Sequence, residues 1–173
     1  EAHARWAEGG TDLEAPSPHR SVPDGMHQGQ PFRTTATGAV YDRATGKLDG
    51  RPLTRALLED AVRFFETGEQ VPLTEQHDPN ATLGVVLAMW VVDDGDRFSL
   101  AVLPAYTAAG RAFVEPKGGA LWSSPHIQWG QFFNPRTRDL VGALRVKAVG
   151  LTTSPAQSHA VLDEVRFSEE TPM

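Results

Sequence analysis

Two consecutive apolar stretches limit the possible folds of this chain more than any other feature. Residues 83–92 are nearly all apolar and rich in valine, and a second apolar stretch covers residues 98–103. The acidic segment Asp93-Asp94-Gly95-Asp96 separates them, which predicts a β-hairpin with a four-residue connection. Because neither stretch has a clear polar face, we expect both faces of the hairpin to be covered, as in a barrel wrapped by helices.

Length and composition favour one soluble-type globular domain and argue against several kinds of partner. The chain has 173 residues, enough for a single domain with a substantial core. Its formal net charge is −6 and it has no basic cluster, so we expect no nucleic-acid partner. No apolar run approaches the ~18 residues that a membrane span needs, so no membrane partner is expected either.

The first 36 residues differ from the rest of the chain. They contain four of the 13 prolines and three of the six histidines, with few apolar residues and no periodicity. We therefore expect residues 1–36 to be an extended or disordered N-terminal arm, with order beginning near Thr37. Residues 37–160 would then form the folded domain and residues 161–173 a polar C-terminal tail. The irregular spacing of His3, His19 and His27 does not suit a metal site.

Within the folded part, helices and strands alternate irregularly. Residues 54–66 have the clearest helical pattern, with Thr54 as the N-cap and Gly68 just beyond the end. We also expect a short helix over residues 107–115, and strands over residues 38–41, 71–73, 120–129 and 140–149, with a turn at 134–139. The sum is an α+β fold, a mainly antiparallel β-barrel wrapped by a few helices.

Histidine and serine are the residues with the clearest chemical potential. His77 lies where the apolar residues 71–73 run into a polar turn, and Ser123 and Ser124 interrupt an apolar strand. The chain has no cysteine, so covalent catalysis would fall to serine with histidine as its base. Successive strand residues point to opposite faces, so only one of the two serines can meet His77. On these residues alone, a turn histidine and ordinary strand serines are the favoured interpretation.

Metal and cofactor chemistry find little support in the sequence. His77, Asp78 and His126 would be the best ligand set, but no helix carries two ligands at metal-binding spacing. No glycine-rich phosphate loop or dinucleotide fingerprint occurs. We expect neither a metal nor a cofactor.

The order of these segments resembles that of a known protease family. The sequence begins with an opening strand (Gly38-Ala39-Val40-Tyr41-Asp42) and a helix (54–66). A His-Asp turn (His77-Asp78-Pro79) and a Leu-Gly pair (Leu83-Gly84-Val85) follow. Next come a strand with a Ser-Pro pair (Ser124-Pro125) and a closing strand with the segment after it (Val149-Gly150-Leu151-Thr152-Thr153-Ser154-Pro155-Ala156). This succession, over roughly residues 37–157, is similar to the capsid maturation (prohead) proteases of tailed phages, including the phage Mu I-like branch. That family shares its fold with herpesvirus assemblin, so the resemblance implies an assemblin-like protease domain.

The resemblance also implies roles for individual residues. Ser124, which precedes Pro125 as the family serine does, would be the nucleophile, and His77 the general base. Relatives place an acidic residue or a second histidine on the closing strand, but here that region reads Val146-Lys147-Ala148-Val149. The third catalytic residue is therefore open. Asp78 and His126 are the main candidates, beside Glu75, Asp139 and a Ser–His dyad without a third residue.

The oxyanion hole is expected from backbone N–H groups. The resemblance points to the loop near Thr152 and Thr153. Arg145 is a weaker candidate, and a solvated strand residue is the simpler interpretation of it.

The biological role implied by the resemblance is proteolysis during phage assembly. The enzyme would be a serine endopeptidase inside the viral procapsid in the host cytoplasm, and the scaffold protein, the arms of the major capsid protein and the enzyme itself would be its substrates. The arm of residues 1–36 would suit autoprocessing or tethering, and a homodimer is possible. Two alternatives remain: a non-catalytic capsid or scaffold-associated module that keeps the protease fold, and an unrelated small β-barrel binding protein.

Overall fold

The described part of the chain folds around one large β-sheet with two α-helices. The computed structural model describes residues 13–38, 41–42, 47–48 and 52–152. The strands are β1 (His27–Gln28), β2 (Phe32–Ala36), β3 (Tyr41–Asp42), β4 (Lys47–Leu48), β5 (Pro72–Glu75), β6 (Thr82–Asp93), β7 (Phe98–Tyr106), β8 (Trp122–Phe133) and β9 (Leu140–Thr152). The helices are α1 (Arg55–Glu66) and α2 (Ala108–Val114), and a 3-10 helix covers Glu115–Ala120. The α+β class predicted from the sequence is confirmed.

Seven strands form the main sheet, and most neighbours in it are antiparallel. The order is β1-β7-β6-β5-β9-β8, with β2 also paired to β7. Only the β5–β9 pair is parallel among the described ladders. The small strands β3 and β4 pair with each other outside this sheet. The strand expected over residues 38–41 overlaps β3 only at Tyr41, and residues 39–40 lie outside the described residues. The pairing of β5 with β9 brings the turn after β5 against the closing strand.

Helix α1 agrees with the sequence prediction at both ends. The Thr54 hydroxyl accepts a hydrogen bond from the backbone N–H of Leu57 at 3.2 Å, which caps the first turn. Gly68, with φ 109°, follows the last turn in a conformation that glycine adopts at little cost. The apolar face of the helix, including Leu58 and Phe65, is buried in the main core.

The β6–β7 hairpin is also confirmed, and both of its faces are covered. The register runs from Asp93 opposite Phe98 to Gly84 opposite Tyr106. One face belongs to the main core under α1. On the other face, Leu87 and Leu103 belong to a second buried cluster, packed against residues of the N-terminal segment that include Val22 and Met26. The second face of the hairpin is therefore covered by an extended segment rather than by a helix.

The N-terminal segment corrects the predicted start of order at Thr37. Strands β1 and β2 both pair with β7, and every residue of β2 is buried. Arg33 in β2 forms a buried bidentate ion pair with Asp94, with N···O distances of 2.8 and 2.6 Å. Strand β2 was not predicted because polar residues occupy most of its positions. Residues 1–12 and the predicted tail at 161–173 lie outside the described residues.

The sheet does not close into a barrel among the described residues. Its path is open, since no ladder pairs β8 with β2 in the part of the chain that the structure describes. A side-chain contact nevertheless joins these strands: the Ser123 hydroxyl donates to the Thr34 hydroxyl at 2.8 Å. No helix within the described ranges is long and apolar enough to cross a membrane.

Candidate functional site

A turn after β5 fixes the position of His77. The backbone N–H of Gln76 donates to the Leu151 carbonyl of β9 at 3.1 Å, and the N–H of Asp78 donates to the Glu75 carbonyl at 2.9 Å. Gln76 and His77 have φ of 51° and 65°, in the left-handed region that costs a non-glycine residue roughly 1 kcal/mol or more. Two adjacent residues of this kind hold the His77 side chain against β9.

The His77 ring lies directly over Gly150 of β9. A Cβ atom added at Gly150 would come within 2.7 Å of His77 Cε1, 2.8 Å of Nδ1 and 3.1 Å of Nε2. The ring therefore occupies the space that any side chain at position 150 would fill. This contact requires glycine because even the single methyl group of alanine would overlap the imidazole.

Ser124 is the register partner of Gly150. The β8–β9 ladder pairs them directly, and partners in an antiparallel ladder point their side chains to the same face of the sheet. The Cβ atoms of such partners are roughly 5 Å apart, so the Ser124 hydroxyl and the His77 ring are neighbours on one face. Ser124 is only 7% exposed, so few directions of approach to its hydroxyl are open.

Ser123 points to the other face, as expected from strand geometry. It is fully buried and its hydroxyl is bonded to Thr34. Of the two serines, only Ser124 shares a face with His77.

His126 is the second histidine on this face. It lies two residues after Ser124 on β8, and its ring centroid is 5.9 Å from that of His77, edge to face. Partial burial lowers the pKa of His126, and the nearby cations Lys147 and Arg145 lower it further. The His126 ring is therefore neutral at pH 7 and has a nitrogen available as a hydrogen-bond acceptor.

A β-bulge places Lys147 beside His126. In the ladder His126 pairs with Ala148 while the next residue, Ile127, pairs with Val146, so Lys147 is the extra residue. In such a bulge two residues oppose one, here Lys147 and Ala148 against His126.

The second nearby cation, Arg145, is held by a carboxylate. Its Nε lies 3.1 Å from Glu69 Oε2. Burial raises the pKa of Glu69, while Arg145, Arg20 and Lys147 oppose that rise. The Arg145 side chain is 28% exposed and paired with Glu69, so it is not the solvated strand residue that was expected. It lies three residues before Ala148, the ladder partner of His126.

The other candidates for the third catalytic residue lie less favourably. Asp78 Oδ1 accepts from the backbone N–H of Asn80 at 2.9 Å, the Asx-type turn contact expected of it. Glu75 is paired with Leu151, whose side chain is in the core, so it faces away from the Gly150 side. Asp139 lies at the tip of the β8–β9 hairpin, eleven residues before Gly150 and roughly 35 Å from it along the strand. Geometry thus favours His126 over these carboxylates.

The expected oxyanion region is only partly described. Thr152 is buried and is the last residue of β9, paired with Trp122. Thr153 lies outside the described residues.

No metal-binding cluster occurs in the part of the chain that the structure describes. Groups of three or more His, Asp or Glu side chains that could hold an ion are absent there. His77 and His126 are close together, but the Asp78 carboxylate accepts a hydrogen bond from Asn80 within its own turn.

The role of Gly150, which leaves the space that the His77 ring fills, was not predicted from the sequence. A glycine inside an otherwise apolar strand is a signal for close approach of another group, and Val149-Gly150-Leu151 carried that signal. It did not say which group approaches. The arrangement of Ser124, His77 and His126 can support nucleophilic attack with general-base assistance.

The chain matches no protein-family model, no curated protein and no solved structure.

Proposed function

We propose that this protein is a serine endopeptidase of the phage prohead-protease type, with Ser124 as nucleophile and His77 as general base. One observation carries the proposal: the His77 ring fills the space over Gly150, the direct ladder partner of Ser124. A histidine held by a strained turn against the partner of a nearly buried serine is costly to maintain as mere structure. Strained backbone of this kind clusters at functional sites.

The chemistry follows from these two side chains. His77 accepts the Ser124 hydroxyl proton as the oxygen attacks a peptide carbonyl, and it returns that proton to the leaving amine. The acyl group is then an ester of Ser124. A water molecule, deprotonated by His77, hydrolyses the ester and restores the serine hydroxyl. Backbone N–H groups near Thr152 and Thr153 would stabilise the negative oxygen of each tetrahedral intermediate.

His126 is the third member of the proposed site. Its ring is beside that of His77 and neutral at pH 7, so it can accept a hydrogen bond from the far nitrogen of His77. Such a bond would fix the tautomer and orientation of His77 and stabilise its protonated form. A neutral imidazole does this less strongly than a carboxylate.

The proposal also includes the curvature of the main sheet. We infer that the sheet curls into an incomplete form of the assemblin-like barrel. The hydroxyl contact between Ser123 in β8 and Thr34 in β2 supports this, because it joins strands at opposite ends of the sheet. Closure would need only a short ladder between those strands.

The biological setting is proposed from the resemblance of the sequence to phage prohead proteases. The substrates would be the scaffold protein, arms of the major capsid protein and the enzyme itself, processed inside the procapsid of a bacteriophage in the host cytoplasm. The net charge of −6 gives no support for a nucleic-acid partner. A homodimer remains compatible with this role.

Digestion of an unfolded protein tests the proposal. The purified chain should cleave β-casein and, more slowly, itself, with fragments followed by mass spectrometry. Ser124→Ala and His77→Ala should each lower kcat/KM by at least ~10³-fold, whereas Ser123→Ala should stay within a few-fold of the unmodified chain. Cleavage that persists in Ser124→Ala, or no cleavage by the unmodified chain, would instead favour the non-catalytic capsid or scaffold module.

A further inference from the structure

Two cations of β9, Arg145 and Lys147, lie near the proposed catalytic residues. Lys147 is exposed and lies in the β-bulge opposite His126, and Arg145 is close by on the same strand. Both cations act electrostatically on His126. This local positive charge contrasts with the net charge of −6 of the whole chain.

The charges of Arg145 and Lys147 are engaged differently. Arg145 forms an ion pair with Glu69 at 3.1 Å, and Arg20 and Lys147 also act electrostatically on Glu69. Lys147 has no ion-pair partner within 4.0 Å among the described residues. Its ammonium group is exposed and therefore available to a ligand, and Glu69, the carboxylate on which it acts, is already paired with Arg145.

The alternation of burial along β9 indicates which way Lys147 faces. Val146 and Val149 are both buried, although three residues apart, because the bulge adds one residue between them. Lys147 is exposed, as is His126 opposite it, and Gly150 follows on the face that holds the His77 ring. The Lys147 ammonium group thus projects from the face on which Ser124 lies.

We propose that Lys147 is a specificity-determining residue that selects peptide substrates with an aspartate or glutamate close to the scissile bond. This inference rests on the proposed endopeptidase function. His126 lies two positions beyond Ser124 on β8, about 7 Å away, and an extended peptide advances about 3.3 Å per residue. Allowing for the length of a lysine side chain, the carboxylate would lie two to four residues from the cleaved bond, on one side of it.

The experiment compares matched peptides and measures the ratio of kcat/KM. A library of 14-residue peptides with aspartate or asparagine at each position around a fixed cleavage site is digested with the full-length chain. We expect aspartate to be preferred about fivefold at one position two to four residues from the bond, as for one exposed ion pair. Lys147→Gln should bring the ratio near one, and Lys147→Glu should favour a lysine at that position instead.

Charge reversal at the hairpin tip supplies the control. Arg136→Glu makes the same change in net charge, but Arg136 lies in the 134–139 turn at the far end of the β8–β9 hairpin. The aspartate preference of the Arg136→Glu variant should equal that of the unmodified chain. Cleavage without an aspartate preference, or a preference unaltered by Lys147→Glu, would overturn the role of Lys147 while leaving the endopeptidase intact. Absence of any cleavage would overturn both.

Discussion

At the scale of single residues, the site depends on the absence of a side chain at Gly150. Gly150 leaves the space over β9 that the His77 ring fills, next to Ser124. Ser124 and His77 stand out in the sequence because they lie at an interruption and at an end of apolar strands, but only the resemblance to a protease family selected them as a pair. It did not allow the role of Gly150 to be predicted, since a glycine shows only that something comes close.

Gly150→Ala should therefore displace His77 without unfolding the protein. The added methyl group would lie 2.7–3.1 Å from the ring atoms, so the ring must move away from Ser124. We expect kcat for peptide cleavage to fall by about 10²-fold or more, with a smaller change in KM. Steady-state kinetics on one peptide substrate measure both.

Gly142→Ala is the matched control for this substitution. It lies on the same strand, and its methyl group would also meet a side chain, that of Asp60, at 2.4–2.8 Å. This variant should lose stability in urea but keep the kcat of its folded fraction. Equal losses of kcat in the two variants would mean that Gly150 acts only through general stability.

His126 should make stability depend on pH. Its pKa is lowered in the folded chain from the ordinary 6.5, so the unfolded chain binds this proton at higher pH than the folded chain does. As the pH falls below about 6.5, protonation favours unfolding and the free energy of unfolding decreases. His126→Gln removes this contribution.

Urea unfolding at about pH 7.5 and about pH 5.5 measures the effect of His126. The unmodified chain should lose more stability between these values than His126→Gln does. Because all other groups are shared, the difference between the two losses isolates His126. A larger loss in the variant would contradict the lowered pKa.

At the scale of helices and strands, the agreement between sequence and structure follows from local signals. Helix α1 and the β6–β7 hairpin were predicted closely because cap, period and turn residues all lie within the segment itself. Strand β2 was missed because three of its five residues, Arg33, Thr34 and Thr35, are polar, although every residue of the strand is buried. Their partners, among them Asp94 and Ser123, are distant in sequence.

The Arg33–Asp94 pair gives an energetic test of that missed strand. Arg33→Met would leave the Asp94 carboxylate buried with the Ser99 hydroxyl as a remaining partner, and should lower the free energy of unfolding by about 3–5 kcal/mol. Adding Asp94→Asn removes the buried charge, so the double variant should recover part of this loss. Urea denaturation gives both values.

An exposed ion pair serves as the comparison. Arg55 and Glu59 are 3.1 Å apart on the surface of α1, with side chains 59% and 42% exposed. Arg55→Met should change stability by less than about 1 kcal/mol. Similar losses for Arg33→Met and Arg55→Met would show that the buried pair is not structurally important.

At the scale of the whole molecule, residues 13–36 are part of the folded domain. Residues 27–36 form two strands on β7, and residues before them cover the second face of the hairpin. Cleavage near residue 36 would therefore remove part of the sheet, which argues against residues 1–36 as a detachable propeptide. The composition of the segment, rich in proline and poor in apolar residues, concealed this.

A chain that begins at Thr37 should fail to unfold cooperatively. It lacks Phe32, which is 1% exposed, and the whole of β2. Phe32→Ala in the full chain should already cost about 3–5 kcal/mol, a large part of the stability of a typical domain. Circular dichroism during urea unfolding compares the two with the unmodified chain, and a truncated chain with the same midpoint would contradict this account.

The central claim, that His77 activates Ser124, is tested most directly by covalent labelling. A fluorophosphonate loses fluoride when a serine oxygen attacks its phosphorus, and mass spectrometry locates the adduct. We predict one adduct on Ser124, formed at the same rate in Ser123→Ala and absent in His77→Ala. Labelling of Ser124 that proceeds equally in His77→Ala, or no adduct on Ser124, would contradict the claim.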